Sequence, residues 1–149
     1  MTQGPVGAVL FVGYFVLKYL AYAAWCFAGL KLLGDTSPSP RAKALGLGAF
    51  RVLLGIALGV VIWALSTKVY SSLSGDRASR QLLTYLAVYV PVRWLEWSLI
   101  ASVVERSFGA FLVPRSVRSV LFRLGGIAVS CVADVPMLID GLPVGRFMC

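Results

Sequence analysis

Four long apolar runs, parted by short polar segments, set the limits on what this chain can fold into. They cover residues 6–33, 44–66, 81–105 and 120–140. Each is long enough to cross a hydrocarbon layer of about 30 Å as a helix, which takes about 20 residues. Lipid offers backbone N–H and C=O groups no partner, so a spanning segment must be a helix or part of a closed barrel. Barrel strands alternate polar and apolar residues, whereas these runs are continuous. The expected fold is therefore an all-α integral membrane protein: one domain over residues 1–149 with four transmembrane helices. Composition agrees, at 59% hydrophobic and 13% charged, against about half and a quarter in soluble domains.

The polar junctions carry their own signals. Residues 34–43, GDTSPSPRAK, hold two prolines that stop a helix and extend the backbone. Residues 67–80 form the second junction. Residues 106–119, RSFGAFLVPRSVRS, are amphipathic and suited to the membrane interface. Inside the third run, Pro91 cannot donate to the carbonyl of Ala87, which predicts a kink. Pro136 lies near the end of the fourth. In the second run, Gly55 and Gly59 form a small-xxx-small pair that lets helices approach closely.

The first run reads as a retained span, because no basic residues precede it and Lys18 interrupts it. Cys26, Cys131 and Cys149 show no C-x-x-C spacing, and the chain has no histidine. These residues point to inert buried thiols and speak against zinc, His-ligated haem and His-based catalysis. No cofactor or metal is expected. The formal net charge of +8 comes from basic residues scattered over several segments. That pattern fits cytoplasmic loops and anionic lipid rather than nucleic acid.

The two halves resemble each other, over about residues 1–66 and 81–140. Lys18-Tyr19-Leu20-Ala21-Tyr22 parallels Arg93-Trp94-Leu95-Glu96-Trp97. Pro40-Arg41 parallels Pro114-Arg115, and Phe50-Arg51 parallels Phe122-Arg123. Gly55-Ile56-Ala57 parallels Gly126-Ile127-Ala128. Order and spacing nearly match, which suggests a duplicated two-helix unit. An even number of spans per unit keeps both copies in one orientation, a tandem parallel repeat. The end holding Pro40 and Pro114 carries Lys31, Arg41, Lys43, Arg51, Arg106, Arg115, Arg118 and Arg123. The other end carries only Lys68, Arg77, Arg80 and Arg146. The positive-inside bias puts the richer end in the cytoplasm and both termini outside, with a bacterial inner membrane as the expected location.

Lys18, Arg93, Glu96 and Asp134 stand inside apolar runs. A charge at mid-bilayer costs about 2.5–3.5 kcal/mol, so such groups turn inward and pair. Glu96 is expected to meet Arg93 or Lys18, with Asp134 taking the remaining cation. Arg41, Arg51, Arg115 and Arg123 are candidates for holding lipid phosphates. No nucleophile–base pair, phosphate loop or paired catalytic carboxylates are visible. The leading expectation is a non-catalytic accessory or assembly subunit of a membrane complex, or a homo-oligomer, with lipids and other membrane subunits as partners. The alternatives are a small ion or solute transporter using Lys18, Arg93 and Glu96, and an anionic-lipid-handling protein.

Overall fold

A computed structural model describes the backbone of residues 5–111 and 113–140, and the side chains of residues 12–109, 111 and 113–134. Arg146 and Cys149, and the side chain of Pro136, lie outside the described residues. Four long helices account for nearly all of the described chain: α1 Pro5–Leu32, α2 Pro40–Ser72, α3 Arg77–Val104 and α4 Val117–Asp140. Of these, α1, α2 and α3 are long and apolar enough to cross a membrane. The fourth expected span corresponds to α4, which does not join them over its described residues. Arg118, Arg123 and Asp134 break up its apolar run.

Local chemistry moves several helix ends away from their expected places. Pro40 sits in the first turn of α2, where its missing N–H is no loss, so the helix starts ahead of residue 44. At its other end α2 runs past Ser66 to Ser72. The hydroxyls there donate back along the helix, as in Thr67 Oγ1 to Trp63 O at 2.8 Å and Ser71 Oγ to Lys68 O at 2.8 Å. After a tight turn in which Gly75 takes φ 128°, Asp76 caps α3. Its carboxylate accepts from the N–H groups of Ala78 and Ser79 at 3.0 and 3.1 Å. These bonds to the ionised form hold the Asp76 carboxyl below its ordinary range.

The expected kink at Pro91 takes the form of a π-helical turn at Tyr85–Tyr89, just before the proline. There the N–H of Val90 reaches the carbonyl of Tyr85, one residue further back than in an α-helix. α1 ends with Gly34 in a left-handed conformation (φ 73°). Gly34 N–H bonds Lys31 O at 3.2 Å and Asp35 N–H bonds Leu30 O at 2.9 Å. α3 ends in the same way, but with Arg106 at φ 50°, where a side chain is strained.

One apolar cluster joins Tyr22, Cys26 and Leu30 of α1 to Ala44 and Leu47 of α2, and both to Trp97, Ile100, Ala101 and Val104 of α3 and Phe122 of α4. It joins the end of α1 to the start of α2 and the end of α3 to the start of α4. Both connecting loops therefore lie at one end of the bundle. A second cluster, Ile62 with Val88, packs the opposite half. Glycines seat the large rings. A Cβ at Gly125 would lie 2.1 Å from the Trp25 ring, and one at Gly126 would lie 2.2 Å from the Trp97 ring. A Cβ at Gly48 would lie 3.0 Å from the backbone of Ala23, so α1 and α2 approach closely there. Gly55 and Gly59 are buried on the same helix. The surface is studded with large apolar side chains, among them Leu53, Val60, Leu82 and Val132, as lipid contact requires.

Candidate functional site: a buried charge network

Among the described residues, charged side chains inside the bundle gather into two clusters and one satellite. The first is centred on Asp134 of α4. Its Oδ1 accepts from Lys18 Nζ of α1 at 2.9 Å and from the Tyr14 hydroxyl at 2.7 Å, and Lys18 also donates to Tyr14 at 3.0 Å. The other oxygen, Oδ2, pairs with Arg93 Nη2 of α3. Arg93 Nη1 donates to the Tyr85 hydroxyl and to Cys131 Sγ, the latter at 3.0 Å. Tyr85 and Cys131 are themselves in contact at 3.1 Å. The π-turn supplies Tyr85 to this cluster, eight residues before Arg93 on the same helix.

The second cluster lies between α2 and α3. Arg51 Nη2 stands 2.5 Å from Glu96 Oε2, and both side chains are fully buried (0% exposed). The guanidinium carbon lies 4.9 Å from the Tyr22 ring and 5.6 Å from the Trp97 ring. These two rings meet edge to face at 5.8 Å. Arg51 is about 16 Å along α2 from Pro40, close to half the thickness of a hydrocarbon layer. In contrast to the first cluster, much of its polar capacity is unspent. Among the described residues, Arg51 Nε and Nη1 and Glu96 Oε1 make no hydrogen bond.

Arg123 of α4 forms the satellite. It donates to Ser98 Oγ at 3.0 Å and to the carbonyl of Phe111 at 3.2 Å, and stacks near Trp94. Glu105 at the end of α3 acts on it electrostatically. Trp97 Nε1 donates to Ser130 Oγ at 3.1 Å, closing the polar contacts between α3 and α4.

The sequence expectation brought Lys18, Arg93 and Asp134 into the interior, and the structure joins all three. It differs on Glu96, whose ion pair is with Arg51 rather than with Lys18 or Arg93. The reason is rotational: Arg51 faces α3 from across the bundle, while Lys18 and Arg93 both turn to α4. The four arginines grouped as a lipid-phosphate set also separate. Arg41 and Arg115 are exposed at the loop end, while Arg51 and Arg123 are completely buried. Tyr14 and Tyr85 were not singled out from the sequence, and Cys131, expected as an inert buried thiol, instead contacts Arg93 and Tyr85. Tyr14 could have been found as the residue one turn before Lys18, whereas Cys131 gives no signal beyond its polarity.

A shallow cleft of about 430 Å³ opens at the loop end, lined by Leu33, Glu105, Ser116, Val117 and Arg118. Among the described residues, no group of three or more His, Cys, Asp or Glu side chains converges to hold a metal. Searches against family models, curated proteins and solved structures find no match to this chain.

Proposed function

We propose that this chain is a four-span membrane protein that binds and passes a small anion through its core. The observation that carries the reading is the charge balance. Lys18, Arg51, Arg93 and Arg123 are buried, against the carboxylates of Glu96 and Asp134. Counting Glu105 at the rim, the cations stay in excess among the described residues. A set of charges used only to fix helix register would balance in sum, because net charge is costly in lipid. A surplus of positive charge about a bundle axis favours an anion instead. The unspent donors of Arg51 offer it hydrogen bonds.

The fourth span, α4, belongs to this reading. Arg123 and Asp134 turn into the network, which lets a less apolar helix cross. The tandem repeat fits as well, since equivalent residues come together: Lys18 with Arg93 on Asp134, and Tyr22 against Trp97. At the loop end, Lys31, Arg41, Arg106, Arg115 and Arg118 are exposed. They suit anionic headgroups on the cytoplasmic face of a bacterial inner membrane, with both termini outside.

The test is chloride efflux from loaded proteoliposomes. Efflux above the leak of empty vesicles is expected, and it is expected to fall to that leak in a correctly folded Arg51→Met variant. Wild-type protein that passes neither chloride, nitrate nor formate would remove the basis for the reading.

A second reading, an accessory or assembly subunit, draws on the way the ion pairs tie α1, α3 and α4 together and α2 to α3. It requires a second chain to remain bound through purification in mild detergent. A solitary monomer that conducts anions rules it out.

A further inference from the structure

Arg51 and Glu96 form an ion pair that is incomplete on both sides. The contact runs through one nitrogen and one oxygen at 2.5 Å. Two further guanidinium nitrogens and the second carboxylate oxygen have no hydrogen bond among the described residues. A pair built for stability would be bidentate, with its remaining atoms satisfied. Tyr22 and Trp97 cover the guanidinium and hold it in place without using its N–H groups.

Charged groups from every neighbouring helix act on Glu96. The charged and titratable groups acting on it are Arg51 from α2, Lys18 from α1, Asp134 from α4 and Arg93 from its own helix. The Tyr22 ring lies against Arg51, its centroid 4.9 Å from the guanidinium carbon. Neutralised by a proton, Glu96 would no longer hold Arg51, and the guanidinium would be left as an unanswered cation in a dry site. That state is costly by itself and is relieved by any anion that fits.

Resting on the anion reading above, we propose that Arg51 is the anion-binding residue and that Glu96 is a built-in competitor, displaced when it takes up a proton. The site takes an anion no larger than the carboxylate it replaces. Tyr22 and Trp97, both fully buried, stand against the guanidinium, and Phe122 packs on the far ring of Trp97, so the space freed is that of the displaced carboxylate. The ligand class is therefore a small monovalent anion, such as chloride, nitrate or formate, which arrives together with one proton. Phosphate, sulfate and larger organic acids are excluded by size.

Two measurements test this, with chloride as the probe. In wild-type proteoliposomes, chloride efflux is expected to rise as pH falls, by at most about tenfold per pH unit, the slope of a single proton. In Glu96→Gln, whose amide mimics the protonated acid, efflux at pH 8 is expected to match the wild type at low pH and to vary little with pH. The second measurement needs no variant. Chloride is expected to raise the melting temperature of the wild-type protein in detergent at pH 5.5, and not at pH 8. Wild-type efflux that ignores pH, or a chloride shift in melting temperature equal at both values, would overturn the exchange while leaving anion passage standing. Absence of efflux at every pH would overturn both.

Discussion

Asp134 and Glu96 are both carboxylates inside the bundle, but the structure treats them differently. Asp134 meets two cations and a tyrosine hydroxyl, with both oxygens used. Glu96 meets one cation through one oxygen. Asp134 also keeps partial access to the outside, with 17% of its side chain exposed, while Glu96 has none. A saturated cluster with hydrogen-bonded phenols on its flanks is suited to holding helices in place. An unsaturated pair in a drier spot is suited to changing partners. Burial alone therefore does not tell glue from machinery; the count of satisfied atoms does.

The contrast can be broken most sharply at Asp134. Asp134→Asn leaves Lys18 and Arg93 facing each other, and is expected to cost about 5 kcal/mol, the top of the range for a broken buried ion pair. Thermal unfolding in detergent measures it; a loss below about 2 kcal/mol would mean that the cluster is not structural. Glu96→Gln leaves only Arg51 unanswered and is expected to cost less, about 3 kcal/mol. Adding Arg51→Gln should recover most of that loss, because the pair leaves together. Adding Lys18→Met to Asp134→Asn should recover less, because Arg93 remains.

Next in size is Gly126→Ala, which forces the Trp97 ring off its seat over the Glu96 cluster. Overpacking of this kind is expected to cost about 1–3 kcal/mol. The intrinsic fluorescence of Trp97 should shift with it. If the ring stays put, the packing does not keep this site dry.

The smallest effect belongs to a third ion pair, Lys43 with Asp35, at the loop end. Hydrogen bonds from Lys43 and Ser37 hold the Asp35 carboxyl well below its ordinary value, at about 2. A carboxyl lowered by folding stabilises the fold above its unfolded value of about 4, and that contribution is lost as pH falls toward 2. The melting temperature of Asp35→Asn should therefore trail the wild type slightly at pH 6 and converge with it near pH 2. A gap that persists at pH 2 would show that the carboxyl's charge is not what the loop uses.

Much of the scaffold could be read in the chain, because helical spans follow from apolar length and from the needs of the backbone in lipid. The inward turn of Lys18, Arg93, Glu96 and Asp134 follows from the cost of charge there. What the chain does not display is the rotation of one helix against another. A residue's number gives its depth, but the facing partner depends on packing, here on Gly48 against Ala23 and on the tryptophans over Gly125 and Gly126. That is why Glu96 was matched to cations of similar depth and its actual partner, Arg51, was placed at the interface. Helix ends were displaced for a similar reason. The serines and threonines after Trp63 look like loop residues in sequence, but satisfy themselves along the helix.

The wide turn at Tyr85–Tyr89 makes chain length itself part of the wiring. A π-turn amounts to one surplus residue in a helix. Removing that residue would tighten the coil and swing everything upstream by about 100°. Tyr85 would leave Arg93 and the sulfur of Cys131, while the residues from Val90 onward kept their other neighbours. A one-residue deletion there would thus uncouple the first two turns of α3 from the charges below them without altering a single charged side chain.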